Sequence, residues 1–255
     1  MRTIAILNLK GGVGKTVTAI NFAAILAHDY AQRVLLVDAD SQANLTEFVG
    51  GDSAVSNLAD VLRGDAPAVA SIQQSALPGV DILPGSDALM DLDLTKVELQ
   101  AVSATVLRDM VAYLDEAKAY DACVIDCPPA FNAAAAAALI AADDVLIPIK
   151  VDAFSLRGMA NVLRQVRNMQ EINPRLRVAG VLPTMYYRSS KEYEAAIREL
   201  CLAGLRVFPS IRRSDRVDDS TFAQDALLTF SPRSAAAVDY RRFVETFLRG
   251  GDLRG

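Results

Sequence analysis

The segment Asn8-Leu9-Lys10-Gly11-Gly12-Val13-Gly14-Lys15-Thr16 carries the strongest chemical signal in the chain. Its glycines let backbone N–H groups turn inward and approach phosphate oxygens with no Cβ in the way. A helix starting near Gly14 would aim its positive end at the same anion. Lys15 can then reach β- and γ-phosphates, and the Thr16 hydroxyl can ligate Mg²⁺. The usual spacing G-x-x-x-x-G-K-[ST] fails only at its first glycine, where Leu9 stands, and a second lysine, Lys10, precedes the glycine pair. Three carboxylates follow apolar runs. Asp38 and Asp40 close Val34 to Val37, and Asp126 closes Val124-Ile125 ahead of Cys127-Pro128-Pro129. Two carboxylates one residue apart on a strand point the same way and could orient a water and a hydrated Mg²⁺. Aspartate at a strand end also commonly caps a helix, so that role stays open. Asp126 stands where a phosphate-transfer site needs a carboxylate to hold Mg²⁺, usually through water. Cys127 reads as a small buried residue.

These residues need strands and helices to position them, and the chain alternates the two. Strands are expected at Thr3–Asn8, Arg33–Asp38, Val80–Leu83, Ala122–Asp126, Val145–Ile149, Val178–Leu182 and Leu205–Phe208, several of them continuous apolar runs of the kind covered on both faces. Helical stretches fall at about 16–28, 95–118, 133–142, 155–172, 190–203 and 234–249. Such alternation implies an α/β fold: a mostly parallel twisted sheet with helices on both faces and ligands at the strands' carboxyl ends. With 255 residues, and no linker or repeat, residues 1–255 read as a single domain built around the phosphate loop.

Composition removes several classes. A hydrophobic content of 52% excludes disorder, and no apolar run approaches the roughly 20 residues of a membrane helix. The three cysteines, Cys123, Cys127 and Cys201, contain no C-x-x-C pair, so a disulfide framework or zinc site is not expected. A single histidine, His28, argues against a Ser-His-Asp triad and reads as a solvated helix-terminal residue. The expected location is the cytoplasm. Charge is uneven: residues 1–150 hold 9 Lys+Arg against 19 Asp+Glu, and residues 151–255 hold 17 against 12. Sixteen of those 17 cations are arginine, a residue suited to phosphate. A polyanion face and an ordinary solvated surface both fit that asymmetry.

The two-lysine form K-G-G-x-G-K-T resembles the deviant phosphate loop of the ParA/MinD class of P-loop ATPases. The resemblance continues through Val37-Asp38-Ala39-Asp40-Ser41-Gln42, similar to that class's V-D-x-D-x-Q switch with Ser41 where proline is frequent, and through Asp126-Cys127-Pro128-Pro129, similar to its D-x-P-P. Further likenesses lie at Ile147-Pro148-Ile149 with Ser155-Leu156-Arg157-Gly158, at Leu182-Pro183-Thr184-Met185, and at Ile211 to Val217 with Ser231-Pro232-Arg233-Ser234. The resemblance implies ATP and Mg²⁺ as cofactors, held by Lys10, Gly11, Gly12, Val13, Gly14, Lys15, Thr16 and Val17. Lys10 would cross a sandwich homodimer to the partner's phosphates, and Asp40 would position the attacking water. Lys10, Lys15 and Asp40 thus form the implied catalytic set. Thr16, Asp38 and Asp126 would serve the metal, and Met185 and Pro209 would flank the adenine. Val17 replaces a threonine common in the class, which removes a hydroxyl contact to the α-phosphate but leaves the backbone N–H. Arg188, Arg213 and Arg216 fall where members carry DNA-contacting or base-adjacent arginines, with Arg188 one place early. No iron–sulfur cluster is expected, because the sequence context of the cluster-binding relatives is absent.

The first expected strand begins at residue 3, so the chain resembles the short ParA form that lacks an N-terminal helix-turn-helix. The implied function is a DNA-partitioning ATPase. Its ATP-bound homodimer would hold double-stranded DNA non-specifically and so associate with the nucleoid, and a ParB-like activator would stimulate its hydrolysis and release it. A MinD-like membrane-surface ATPase is the first alternative, because Tyr240, Phe243, Val244, Phe247 and Leu248 form an apolar stripe at helical spacing. A final sheet-packing helix explains the same stripe, and no membrane contact is expected. Two other readings are a biosynthetic phosphotransferase, which leaves Lys10 unexplained, and a DNA-binding module without catalysis, which leaves the three aspartates unexplained.

Overall fold

The computed structural model of the chain describes residues 1–94 and 104–250. Its order is β1 (Arg2–Ile6), α1 (Lys15–Tyr30), β2 (Val34–Asp38), α2 (Asn44–Phe48), α3 (Leu58–Arg63), β3 (Gln73–Gln74), β4 (Val80–Leu83), α4 (Asp91–Leu94) and α5 (Val106–Glu116). Then come β5 (Ala122–Asp126), α6 (Ala133–Ala141), β6 (Asp144–Lys150), α7 (Ala153–Gln170), β7 (Arg177–Thr184), α8 (Lys191–Leu202), α9 (Asp215–Phe222), α10 (Leu227–Phe230) and α11 (Ala235–Arg249). All the described strands join one sheet in the order β3-β4-β2-β5-β1-β6-β7, parallel except for the two-residue edge strand β3. This is the expected α/β architecture.

β2 and β5 are buried at every residue, which accounts for their unbroken apolar runs. One face of the sheet is covered by α3, α5, α6, α7 and α8, and the other by α1, α2, α10 and α11. On the second face Phe243 packs edge-on against Phe22 and Phe208, with centroids 5.4 and 5.2 Å apart, and Phe247 lies 5.0 Å from Phe22. The apolar stripe of α11 is therefore core: Tyr240, Phe243, Val244 and Phe247 are all buried.

One expected strand differs from the structure, one expected helix is described only in part, and several short helices are additional. Leu205–Phe208 does not form a named strand. It runs beside β7 through the Val181↔Val207 bridge, but Pro209 has no N–H to donate, and pairing resumes only at Ile211, which donates to the Pro183 carbonyl at 2.8 Å. The helix expected over 95–118 is described from Val106, and residues 95–103 lie outside the described residues. The short helices α2, α3, α4, α9 and α10 were not anticipated, because four to eight residues carry too few turns for a periodic signal. The end signals of α3 were nevertheless present: an Asn57/Asp60 capping box and Gly64 at φ 83°.

Replacing Phe243 by alanine removes a ring from the centre of the α1–α11 core. The expected loss is about 3–5 kcal/mol of unfolding free energy, read as a lower urea midpoint with an unchanged m-value.

Candidate active site

The parallel register brings the site together. Asp38 of β2 pairs with Asp126 of β5, and Ile6 of β1 pairs with the same Asp126. Strands in a sheet lie about 4.8 Å apart, so the two carboxylates stand side by side next to the loop that leaves β1. That loop, residues 8–14, is tied down at both ends. Asn8 Nδ2 donates to the Pro148 carbonyl at 2.7 Å and Thr184 Oγ1 donates to the Val13 carbonyl at 2.8 Å, with the Val13 side chain buried. Gly12 and Gly14 adopt φ of 70° and 82°, a region costly for other residues. A Cβ on Gly11 or Gly12 would meet nothing within 4 Å, so the face of the loop is open. The first turn of α1 has no acidic residue, and Gly14 offers no side-chain cap, which leaves its N–H groups available to an anion.

Lys15 is buried, and its Nζ donates across the loop to the Lys10 carbonyl at 3.4 Å. Lys10 points elsewhere. Its Nζ binds Asp152 Oδ1 and Oδ2 at 3.1 and 3.0 Å and Ser155 Oγ at 3.0 Å. Asp152 caps α7 by accepting from the Ser155 N–H at 2.8 Å. Burial pulls its pKa upward, but the bonds from Ser155 and Lys10 outweigh it and hold Asp152 down to about 2. Sequence reasoning missed Asp152. An Asp just before a helical run is a cap signal, yet nothing local couples it to a lysine 142 positions earlier.

The three strand-end aspartates are in different states. Asp38 Oδ2 accepts from Thr46 N–H and Oγ1 at 2.8 and 2.7 Å, and Oδ1 accepts from the Asp40 N–H at 3.2 Å. Burial pushes Asp38 up to about 6 against those bonds. Its carboxylate therefore braces the start of α2, and Thr46 Oγ1 in turn accepts from the Gly85 N–H at 2.8 Å. Asp40 accepts from the Gln42 N–H at 3.1 Å. Asp126 is buried, and neither of its oxygens has a hydrogen-bond partner. Burial, then the Asp38 charge, push it well above the usual carboxylate range, opposed by Thr16 and Lys15. A buried, unpartnered carboxylate beside a lysine and a threonine hydroxyl fits a hydrated divalent cation shared with phosphate oxygens.

A cleft of about 220 Å³ extends from the loop between Gly14, Val17, Met185, Ile211, Val217 and Tyr240, the size and apolar character that suit an adenine. Met185 lines it, whereas Pro209 is half-buried and not among its lining residues. Arg213 borders this cleft. Arg188 borders a second one of about 390 Å³, with Asp152, Tyr186 and Tyr193. Arg216 is exposed but pairs with Asp219 at 3.2 Å.

An AAA domain family matches residues 1–178. The chromosome partitioning protein ParA of Caulobacter vibrioides is 34% identical over 249 residues, covering 94% of this chain and 91% of that protein. The chain belongs to the ParA/Soj family. The chromosome-partitioning ATPase Soj of Thermus thermophilus is 36% identical over 250 residues, 96% of this chain and 94% of its own. The cobyrinic acid a,c-diamide synthase of Mycobacterium smegmatis, solved with an ATP analogue and magnesium, superposes with a TM-score of 0.84 at 29% identity, over 99% of this chain and 96% of that one. As a ParA/Soj member the chain is a P-loop ATPase of the ParA/MinD type, consistent with ATP and Mg²⁺ as its cofactors.

Replacing Asp126 by asparagine tests the buried carboxylate. A folded-state pKa raised above the unfolded value near 3.8 destabilises the metal-free protein at neutral pH, and the cost fades as pH falls and the folded carboxyl takes its proton. In thermal denaturation without Mg²⁺, Asp126→Asn should melt above wild type at pH 7.5, with the gap narrowing towards pH 5. Equal melting at both pH values would contradict the assignment.

Proposed function

We propose that the chain is a DNA-partitioning ATPase whose ATP-bound state is a homodimer. The dimer holds double-stranded DNA non-specifically through its arginines, and a ParB-like activator stimulates hydrolysis and release. The observation that carries this reading is the pair of lysines on one phosphate loop, with Lys15 lying over the loop and Lys10 held outside it on Asp152. A loop that served only its own nucleotide would have no use for the second lysine. An ammonium held at the loop's edge is suited to a second chain's phosphates. The family, and its chromosome-partitioning members above 30% identity, support the partition role.

In this reading the N–H groups of Gly11 to Val17 and the Lys15 ammonium bind the phosphates. Thr16 and Asp126, with Asp38 beside them, hold the Mg²⁺, which supplies neutralisation of charge on the phosphate oxygens when bound. Asp40 lies two residues beyond Asp38, and among the described residues its Oδ1 accepts only a main-chain bond from Gln42. Its role is to orient the attacking water. Positioning and electrostatics supply nearly all of phosphoryl-transfer catalysis, so a chain whose Lys10 is turned away hydrolyses slowly until a partner completes the site. Met185 and the apolar walls of the cleft take the adenine.

The proposed location is the cytoplasm, moving to the nucleoid when ATP is bound. No helix among the described residues is long and apolar enough to cross a membrane. The apolar stripe of α11, on which a MinD-like membrane reading would rest, packs against α1. The likeness to a diamide synthase keeps one other reading in play, a biosynthetic enzyme. That reading requires turnover dependent on an added metabolite and a monomeric ATP state.

The deciding experiment is fluorescence anisotropy of a random-sequence duplex with ATP–Mg²⁺, with ADP–Mg²⁺ and without nucleotide. Tight binding only with ATP, weakening steeply with salt, is expected. No DNA binding in any state overturns the proposal. Lys15→Ala should abolish nucleotide binding. Asp40→Ala should keep ATP and DNA binding while turnover falls by about 100-fold or more; normal turnover there would remove Asp40 from the catalytic set.

A further inference from the structure

α7 is an 18-residue helix that carries three arginines, Arg157, Arg164 and Arg167, and no acidic residue. Its inward side is closed by Ser155, Met159, Val162, Val166 and Met169, all buried and spaced three and four apart. Its outward side shows Arg157, Asn161, Arg164, Arg167 and Asn168, each exposed. Arg157 and Arg164 are seven residues apart, hence on one side and about 10 Å apart along the axis, and Arg167 lies one turn beyond Arg164. Among the described residues no carboxylate pairs with Arg164 or Arg167. Arg164 Nη2 donates only to the Asn161 amide oxygen at 2.7 Å. Arg175 continues the cationic surface just past the helix, beyond the single acidic residue Glu171.

The contrast with α9 is sharp. That helix bears Arg216, which resemblance offered as a DNA contact, together with Asp215, Asp218 and Asp219. Its one guanidinium is neutralised by Asp219, and the helix as a whole would repel phosphate.

We propose that the outward face of α7, with Arg164 and Arg167 at its centre, is the principal contact with the DNA phosphate backbone. The inference rests on the DNA-binding reading above and moves the footprint from α9 to α7. Guanidinium and amide side chains are the groups that bind phosphate oxygens, and they do so without sequence information. Between Arg157 and Asn168 the exposed side of α7 shows only Arg, Asn, Gly and Ala, and the exposed Ile172 lies past the helix end, at the border of this surface and not at its centre. α7 covers the sheet beside β7, at the edge opposite β3 and β4.

The test is a salt titration of random-duplex binding by the full chain in ATP–Mg²⁺, comparing wild type, R164Q/R167Q, R164K/R167K and R216Q. Losing two phosphate contacts per chain, four per ATP-bound dimer, should make the slope of log K against log salt shallower by about 4 and weaken binding at least tenfold at moderate salt. The lysine pair should keep the slope, R216Q should bind within about twofold of wild type, and basal ATP turnover should be unchanged in both α7 double variants. Wild-type binding with an unaltered slope in R164Q/R167Q overturns the assignment to α7 alone. Wild-type protein that binds no DNA with any nucleotide overturns the partition reading itself.

Discussion

The structure depends on the side-by-side parallel pairing of β2, β5 and β1. Their residues are almost entirely apolar until the last position, where Asp38 and Asp126 meet across the register while β1 runs on into the phosphate loop. A parallel sheet buried on both faces admits polar groups only at its ends. The carboxylates are thus placed by the same hydrogen bonds that build the core, and shifting a strand by one residue would dismantle fold and site together.

That placement divides labour among three chemically identical side chains. Asp38 receives three protein hydrogen bonds and steadies α2, Asp40 receives one, and Asp126 receives none. Hydrogen bonding, not residue type, separates a structural carboxylate from one held in reserve for a ligand. Gly85 completes the arrangement, because a Cβ there would come within 2.7 Å of the Asp38 carbonyl oxygen.

Much of this was legible in the sequence because it is local. The phosphate loop, the apolar strands ending in aspartate and the six long helices each announce themselves within ten or twenty residues. What escaped was long-range or short. Asp152 looks like an ordinary helix cap until the fold brings Lys10 to it. Thr46 gives no sign that it bridges Asp38 and Gly85. Arg216 matched by position but not by surroundings, since Asp219 lies one turn along the same helix. The stripe on α11 was expected to pack on the sheet, with a membrane surface as the alternative, and it packs against α1.

The Lys10–Asp152 contact sets a timescale as well as a geometry. Both side chains remain partly in water, 39% and 30% exposed, so the pair is worth about 0.2–1 kcal/mol. At the upper limit roughly one chain in six has the ammonium released at any instant, and side-chain rotations of this kind take picoseconds to nanoseconds. The contact is a bias, not a lock. A second chain arriving on the far slower clock of diffusion finds the lysine already sampling its outward reach, so the encounter selects a posture instead of having to create one.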